Sequence, residues 1–217
     1  KGYWNSELQQ DRTNNALIRK HGIKPWYDLL SGDPVALSLT PEIQQLRDEE
    51  RLWVEKEVPE VGLGVSAGCG CTKVKGSFGV DISREGEHGA GGRKFSGATP
   101  DAVGFVETLP IGNACLDYIL ASHILEHLVD LVASLKEWYR VLKPGGKLII
   151  VCPNHIHTQT MIIDYTHVHA FTPESLSNLL CALGWIVTPM VVFPVGTMGL
   201  TVHKPGVVHR QLLEVDG

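Results

Sequence analysis

Between Cys115 and Cys152 the chain reads strand, helix, strand, an order that leaves few folds open. Leu116-Asp117-Tyr118-Ile119-Leu120-Ala121 is a short apolar run of the buried-strand kind, ending at Ser122-His123. Leu131, Leu135, Trp138, Tyr139 and Leu142 then recur at helical spacing. Lys143-Pro144-Gly145-Gly146 supplies the proline and glycine expected past a helix end. Lys147–Cys152, with Leu-Ile-Ile-Val at its heart, is a second buried strand. Strands alternating with helices lie parallel, joined by crossover helices.

The same alternation extends both ways. Upstream, the small-residue run Leu63–Ala67 meets a glycine turn at Gly68 and Gly70, and a second short run, Phe78-Gly79-Val80, ends in Asp81. Val103–Val106 reads as a short strand, broken at Leu109-Pro110. Downstream, Thr172-Pro173-Glu174-Ser175 opens a helix that runs to Leu183-Gly184. Thr172 is its cap, and Ser175 stands where the acid of a capping box would be. Trp185–Phe193 and Thr197–His203 are two β-rich runs separated only by Pro194-Val195-Gly196, which predicts an antiparallel hairpin at one sheet edge. The expected fold is α/β: an open, mostly parallel twisted sheet with that antiparallel edge. Ligands of such sheets bind beyond the carboxyl ends of the strands.

Residues 1–60 differ from this body and predict an N-terminal helical extension or lid, followed by a body over 61–204 and a tail over 205–217. Asn14–His21 and Thr40–Glu57 read as helices, the second started by Thr40-Pro41. Ile43, Leu46, Leu52, Trp53 and Val54 supply it with a broad apolar face. The segments around Lys24–Tyr27 and Ser31–Pro34 read as loop, as does the Gly-rich, charged stretch over 84–101.

The net charge of −5 argues against nucleic-acid binding through bulk electrostatics. No stretch reaches the ~18 apolar residues of a membrane span. The five cysteines are scattered and odd in number, which reads as reduced thiols in a cytoplasmic protein. Cys69-x-Cys71 lacks a second pair at zinc-ribbon spacing, so no metal site is expected there.

Four blocks together carry a resemblance. They are the turn Ala67-Gly68-Cys69-Gly70 and Asp81; Leu109-Pro110-Ile111 with Leu116–His127; and Arg140–Leu148 around Leu-Lys-Pro-Gly-Gly. In this ordered set the chain resembles class I, Rossmann-like S-adenosylmethionine-dependent methyltransferases of the type 11 kind, over roughly residues 61–204. The resemblance implies S-adenosylmethionine as cofactor. It implies that Ala67, Gly68, Cys69 and Gly70 bind the cofactor, with the backbone N–H groups of Gly68 to Gly70 holding the methionine carboxylate, and that Asp81 takes the ribose hydroxyls. Val106, Glu107 and Leu109 would wall the adenine, while Ser122 and His123 would face the methionine moiety and the acceptor. The chain departs from the family at Ser66, where an acid is usual, and at Phe105, where many members have aspartate. The Gly70–Gly79 link is also too short for a full crossover helix.

Ten histidines is many, and several cluster. His123-Ile124-Leu125-Glu126-His127 matches the H-x-x-E-H pattern of a zinc peptidase, which needs both histidines on one helical face. His155, His157, His167 and His169 are expected on the cofactor side of the sheet, as hydrogen-bonding loop residues, as a base or acceptor-binding cluster, or less readily as metal ligands. His167 is the first candidate for a general base, and His123 is a further catalytic candidate; His203 and His209 read as structural or solvated. The expected partner is a small-molecule or glycan acceptor, without membrane or nucleic acid, and a homodimer remains open. The alternatives are a methyltransferase-like binding subunit without turnover and a zinc-dependent hydrolase using the H-x-x-E-H stretch.

Overall fold

The structure, a computed structural model, describes residues 41–70, 73–82, 100–157, 166–194 and 196–206, the first eight by backbone alone. The chain divides into two compact units, Lys1–Asp48 and Glu49–Gly217, and the sheet belongs to the second. The expected helix at Asn14–His21, the loops before Thr40, the Thr40 cap, most of the 84–101 loop, Asp164 and His209 lie outside the described residues.

One sheet organises the second unit. Its strands are β1 (Gly64–Ala67), β2 (Phe78–Asp81), β3 (Ala102–Val103), β4 (Leu116–Ser122), β5 (Leu142–Pro153), β6 (Ile186–Val187), β7 (Val191–Val192) and β8 (Thr197–His203). They lie in the order β3-β2-β1-β4-β5-β8-β6, with β7 also paired to β8. The first five are parallel neighbours, and β8 runs antiparallel to β5, β6 and β7. This is the expected mostly parallel sheet with an antiparallel C-terminal side. Two runs are shorter than the sequence suggests. β3 stops at Val103: the Gly104 N–H still bonds to the Asp81 carbonyl, and the pairing ends there. The Trp185–Phe193 run splits into β6 and β7 around Pro189, which has no N–H to give a ladder.

β4 and β5 are apolar throughout because both faces of the sheet are covered. Ile119, Ala121, Leu148, Ile150 and Cys152 point into one core, which holds Leu135 and Trp138 of α2 (Leu131–Val141). Tyr118, Leu120, Ile149 and Val151 point to the other, against Val54 of α1 (Pro41–Glu57). Each such buried Leu or Ile stabilises the fold by about 1.5–3 kcal/mol. At Gly64 an added Cβ would lie 2.0 Å from the Tyr118 ring, so that ring lies directly on the β1 backbone.

Over its described side chains, α1 buries a stripe different from the expected one. Leu52 is 55 % exposed, whereas Trp53 and Val54 face the sheet together with two acids. Glu50 accepts from Thr197 Oγ1 at 2.5 Å and Glu57 from Thr201 Oγ1 at 2.8 Å. Positions 50, 53, 54 and 57 form one helical face, so the hydroxyls of β8 select the face and leave Leu52 outside.

The helix ends are tied by side chains. Asp130 caps α2 by accepting from the Ala133 N–H. At its other end Lys204 Nζ donates to the Tyr139 and Leu142 carbonyls, placing a cation at the negative helix end. α3 (Pro173–Ala182) carries a complete capping box after all. Ser175 Oγ accepts from the Thr172 N–H at 2.9 Å while Thr172 Oγ1 accepts from the Ser175 N–H at 3.1 Å, so a hydroxyl does the work expected of an acid.

Candidate active site

The carboxyl ends of β1, β2 and β4 bring the predicted residues to one edge. Ala67 ends β1 and Gly68 turns the chain with φ 61°. A Cβ on Gly68 would come within 2.6 Å of Ile124 Cδ1, so glycine is required both by the backbone angle and by the loop after β4 packed against it. Asp81 ends β2 and is 8 % exposed, with its Oδ2 accepting from the Gly70 N–H at 2.8 Å. This bond holds the carboxylate over the glycine turn, with no full helix needed between the two. Cys69 is buried beneath the turn; burial, and then the Asp81 charge, push its thiol up to about 11.

The turn differs from expectation in one respect. Its N–H groups are already used: Gly68 and Cys69 donate to the Val80 carbonyl at 2.8 and 3.3 Å, and Gly70 donates to Asp81. The short β1–β2 link pulls these donors back onto β2. Those three amides therefore do not point outward as a carboxylate cradle.

Val106 and Leu109 are both 4 % exposed and are fixed from α2. Trp138 Nε1 donates to the Val106 carbonyl at 2.8 Å. Glu137 Oε1 accepts from the Leu109 N–H at 2.9 Å, and Arg140, paired with Glu137 at 2.7 Å, donates to the Leu109 carbonyl. The Arg140 hydrogen bond holds the Glu137 carboxyl below its usual range. Sequence reading passed over Glu137 and gave Trp138 no role beyond the core; the helical offset of 137 and 138 toward Leu109 was the available signal. Glu107, between these anchors, is half-buried. Phe105 is 64 % exposed and forms part of a shallow apolar depression with Phe78, Val103, Thr108 and Ile111.

Ser122 ends β4 beside Val151, and His123 follows with φ 53°. His123 Nε2 lies 3.2 Å from Glu50 and Nδ1 3.5 Å from Glu126. Burial opposes a charge on this ring, but the bonds to Glu126 and Glu50 outweigh it and raise its pKa to about 10. The chain then makes a 3-10 turn at Leu125–His127. His123 precedes that turn, so His123 and His127 do not share a helical face and the H-x-x-E-H reading fails on geometry.

His167 packs edge-on against His127, ring centroids 4.7 Å apart. His169 Nε2 lies 2.7 Å from the Leu128 carbonyl, a structural role. His155 follows β5, its N–H bonded to the Phe171 carbonyl, and His157 closes a turn onto Asn154. The structure therefore brings Glu126, His127 and His167 together and leaves His155 and His157 on the neighbouring loop.

Residues 60–150 match the family described as methyltransferase domain. Among curated proteins the chain is 28 % identical over 97 residues to the uncharacterized protein YafE of Escherichia coli (strain K12), covering 41 % of this chain and 47 % of that protein. It is 32 % identical over 77 residues to the ubiquinone/menaquinone biosynthesis C-methyltransferase UbiE of Geotalea daltonii, covering 34 % of this chain and 33 % of that protein. The chain spans half or less of the length of these two relatives. Among solved structures, a methyltransferase of Haloferax volcanii in complex with the Trm112 methyltransferase activator superimposes with a TM-score of 0.55. That match has 17 % identity and covers 75 % of this chain and 94 % of that one.

The fold is that of class I, Rossmann-like methyltransferases, residues 60–150 match their domain, and S-adenosylmethionine is the cofactor this likeness implies. The relatives named by activity are methyltransferases and not hydrolases, which removes the zinc-hydrolase alternative. No helix among the described residues is long and apolar enough to cross a membrane. The residues fit the nucleoside half of the cofactor: a carboxylate held at the end of β2 and an apolar wall fixed from α2. For the amino-acid half, Ser66 is buried in β1 and the Gly68–Gly70 amides are engaged, so that end needs other donors.

Proposed function

We propose that the protein is a cytoplasmic enzyme that transfers the S-adenosylmethionine methyl group to a small-molecule or sugar-bearing acceptor. The observation that carries this is the convergence of Asp81, the Gly68–Gly70 turn and the Val106–Leu109 wall on one sheet edge. It lies inside the segment that matches the methyltransferase domain. Asp81 would receive the two ribose hydroxyls, and Val106–Leu109 would exclude water from the adenine. Bound there, the cofactor supplies an electrophilic methyl, and the protein's part is to hold an acceptor atom in line with it. His123, as a cation at the end of β4, would orient an acceptor or cofactor carboxylate rather than take its proton. His167 stands as the base where the acceptor must lose a proton. The acidic chain and its odd, scattered cysteines support the acceptor class and the compartment.

Calorimetry with S-adenosylmethionine, followed by detection of S-adenosylhomocysteine with phenolic, amine and sugar acceptors, tests the reading. Binding by the wild type that falls roughly 10–100-fold in Asp81→Asn is the expected result, since two hydrogen bonds lose their charged acceptor. Absence of binding by the intact chain refutes it. Binding without turnover on any acceptor favours a cofactor-binding subunit, a second reading supported by the engaged amides of the glycine turn.

A further inference from the structure

The 3-10 turn after β4 carries a buried carboxylate that nucleoside binding does not use. Glu126 is 2 % exposed, and its Oε2 has no hydrogen-bond partner among the described residues. A buried anion with an unsatisfied oxygen is costly unless a cation completes it. His123 lies 3.5 Å from the other oxygen, Oε1. One carboxylate oxygen of Glu126 and one ring nitrogen each of His127 and His167 all lie within 4.8 Å of one another.

These groups are held from two sides by the backbone. The Val168 and His169 N–H groups both donate to the Glu126 carbonyl, at 2.8 and 3.2 Å, so the His167 segment is stitched to the turn itself. Thr166 orients the His127 ring, with Nδ1 3.0 Å from its Oγ1 and 3.3 Å from its carbonyl. Such outer partners are what fix a ligating imidazole.

We propose that Glu126, His127 and His167 form a binding site for a first-row divalent cation, with zinc as the reference ion. Two imidazoles and one carboxylate suit zinc, cobalt or nickel, whereas magnesium and calcium favour all-oxygen sets. Bonds of about 2.0–2.1 Å at tetrahedral angles bring ligands to roughly 3.3 Å apart, so the three groups close in by up to about 1.5 Å on binding. Three protein ligands leave at least one position open. The turn follows β4 at the edge where the acceptor of a methyl transfer would sit, so an acceptor hydroxyl can take that position and become more acidic there. Cation binding itself does not depend on the proposed methyl transfer; with the cation bound, His167 is a ligand, and the cation takes over the activation of the acceptor that His167 would otherwise perform as a base.

The test is titration of the full chain with Co2+, followed by visible absorption, with Zn2+ as competitor. The wild type should bind one equivalent saturably. Glu126→Gln and His167→Ala should each weaken it at least about 10-fold, whereas His203→Ala, on β8, should leave it unchanged. Far-ultraviolet dichroism and S-adenosylmethionine calorimetry on the same variants separate loss of the metal from loss of the fold or of the cofactor. If Glu126→Gln does not fold, His167→Ala decides alone. No saturable one-to-one binding by the wild type, or affinity unchanged in the folded variants, overturns the site.

Discussion

Trp138 and Trp185 are both buried, at 0 and 4 % exposure, but among the described residues only the first has a partner for its indole N–H. Replacing each by phenylalanine separates the hydrogen bond from the ring. Either change removes part of an indole and leaves a small void, about 1–2 kcal/mol by comparison with full truncation of a tryptophan. Trp138→Phe also strands the Val106 carbonyl, a further ~1–3 kcal/mol, for a total of about 2–5 kcal/mol. Trp185→Phe instead removes a buried N–H with no partner among the described residues, a gain of about 1–3 kcal/mol that offsets the void. For a chain of this size each kcal/mol shifts Tm by roughly 2–4 °C. Trp138→Phe should therefore lower Tm by roughly 4–20 °C and Trp185→Phe by no more than about 4 °C. Urea unfolding followed by circular dichroism gives the energies, and calorimetry with S-adenosylmethionine should show weaker binding only for Trp138→Phe. Equal destabilisation by both variants would refute the claim that the Val106 wall hangs from α2 by this bond.

Three further outcomes follow from other contacts. Glu137, held below its ordinary pKa mainly by Arg140, contributes stability that is present above pH ~4.5 and lost as pH falls through its lower folded value. The gap between wild type and Glu137→Gln, about 1–2 kcal/mol at pH 7, should shrink below pH ~4 in urea melts; a gap constant from pH 7 to 3 contradicts the pairing. Gly64→Ala sets a methyl 2.0 Å from the Tyr118 ring, so it should cost about 1–3 kcal/mol or more by overpacking, and a neutral result would mean that ring is not where it is described. Among the described thiols, a thiol reagent at pH 8 should label exposed Cys181 long before buried Cys69 or Cys152, as read by peptide mass spectrometry. Early labelling of Cys69 would show that the glycine turn opens.

The parallel sheet was legible in sequence because β4 and β5 are buried on both faces, so Tyr-Ile-Leu-Ala and Leu-Ile-Ile-Val appear as unbroken apolar runs. Asp81 and the glycine turn could be placed for the same reason, since each directly follows such a run. What escaped were contacts set by partners distant in the chain. Glu50 and Glu57 carry no local signal of the contacts that they make once β8 places Thr197 and Thr201 beside them. Ser175 reads as a missing acid because a pattern search counts residue types, whereas the Thr172 amide only requires an acceptor. The engaged amides of Gly68–Gly70 depend on how tightly a short link folds back, which no spacing rule states. Glu126 looked like part of a peptidase motif, and its meaning changed once the chain after Ser122 turned instead of continuing as a helix.

β8 enters the sheet between β5 and the short strands β6 and β7. During synthesis β5 is complete about 45 residues before Thr197 is added, by the numbering of the two strands. Over that interval Leu148-Ile149-Ile150-Val151 presents a bare, strongly apolar edge on its β8 side, the kind of edge that pairs with other chains. The antiparallel closure therefore acts as a late seal on the most adhesive strand of the sheet. Any lesion that delays β8, a loosened Lys204 contact for example, should appear first as aggregation of nascent chains, before it appears as lower stability of the finished fold.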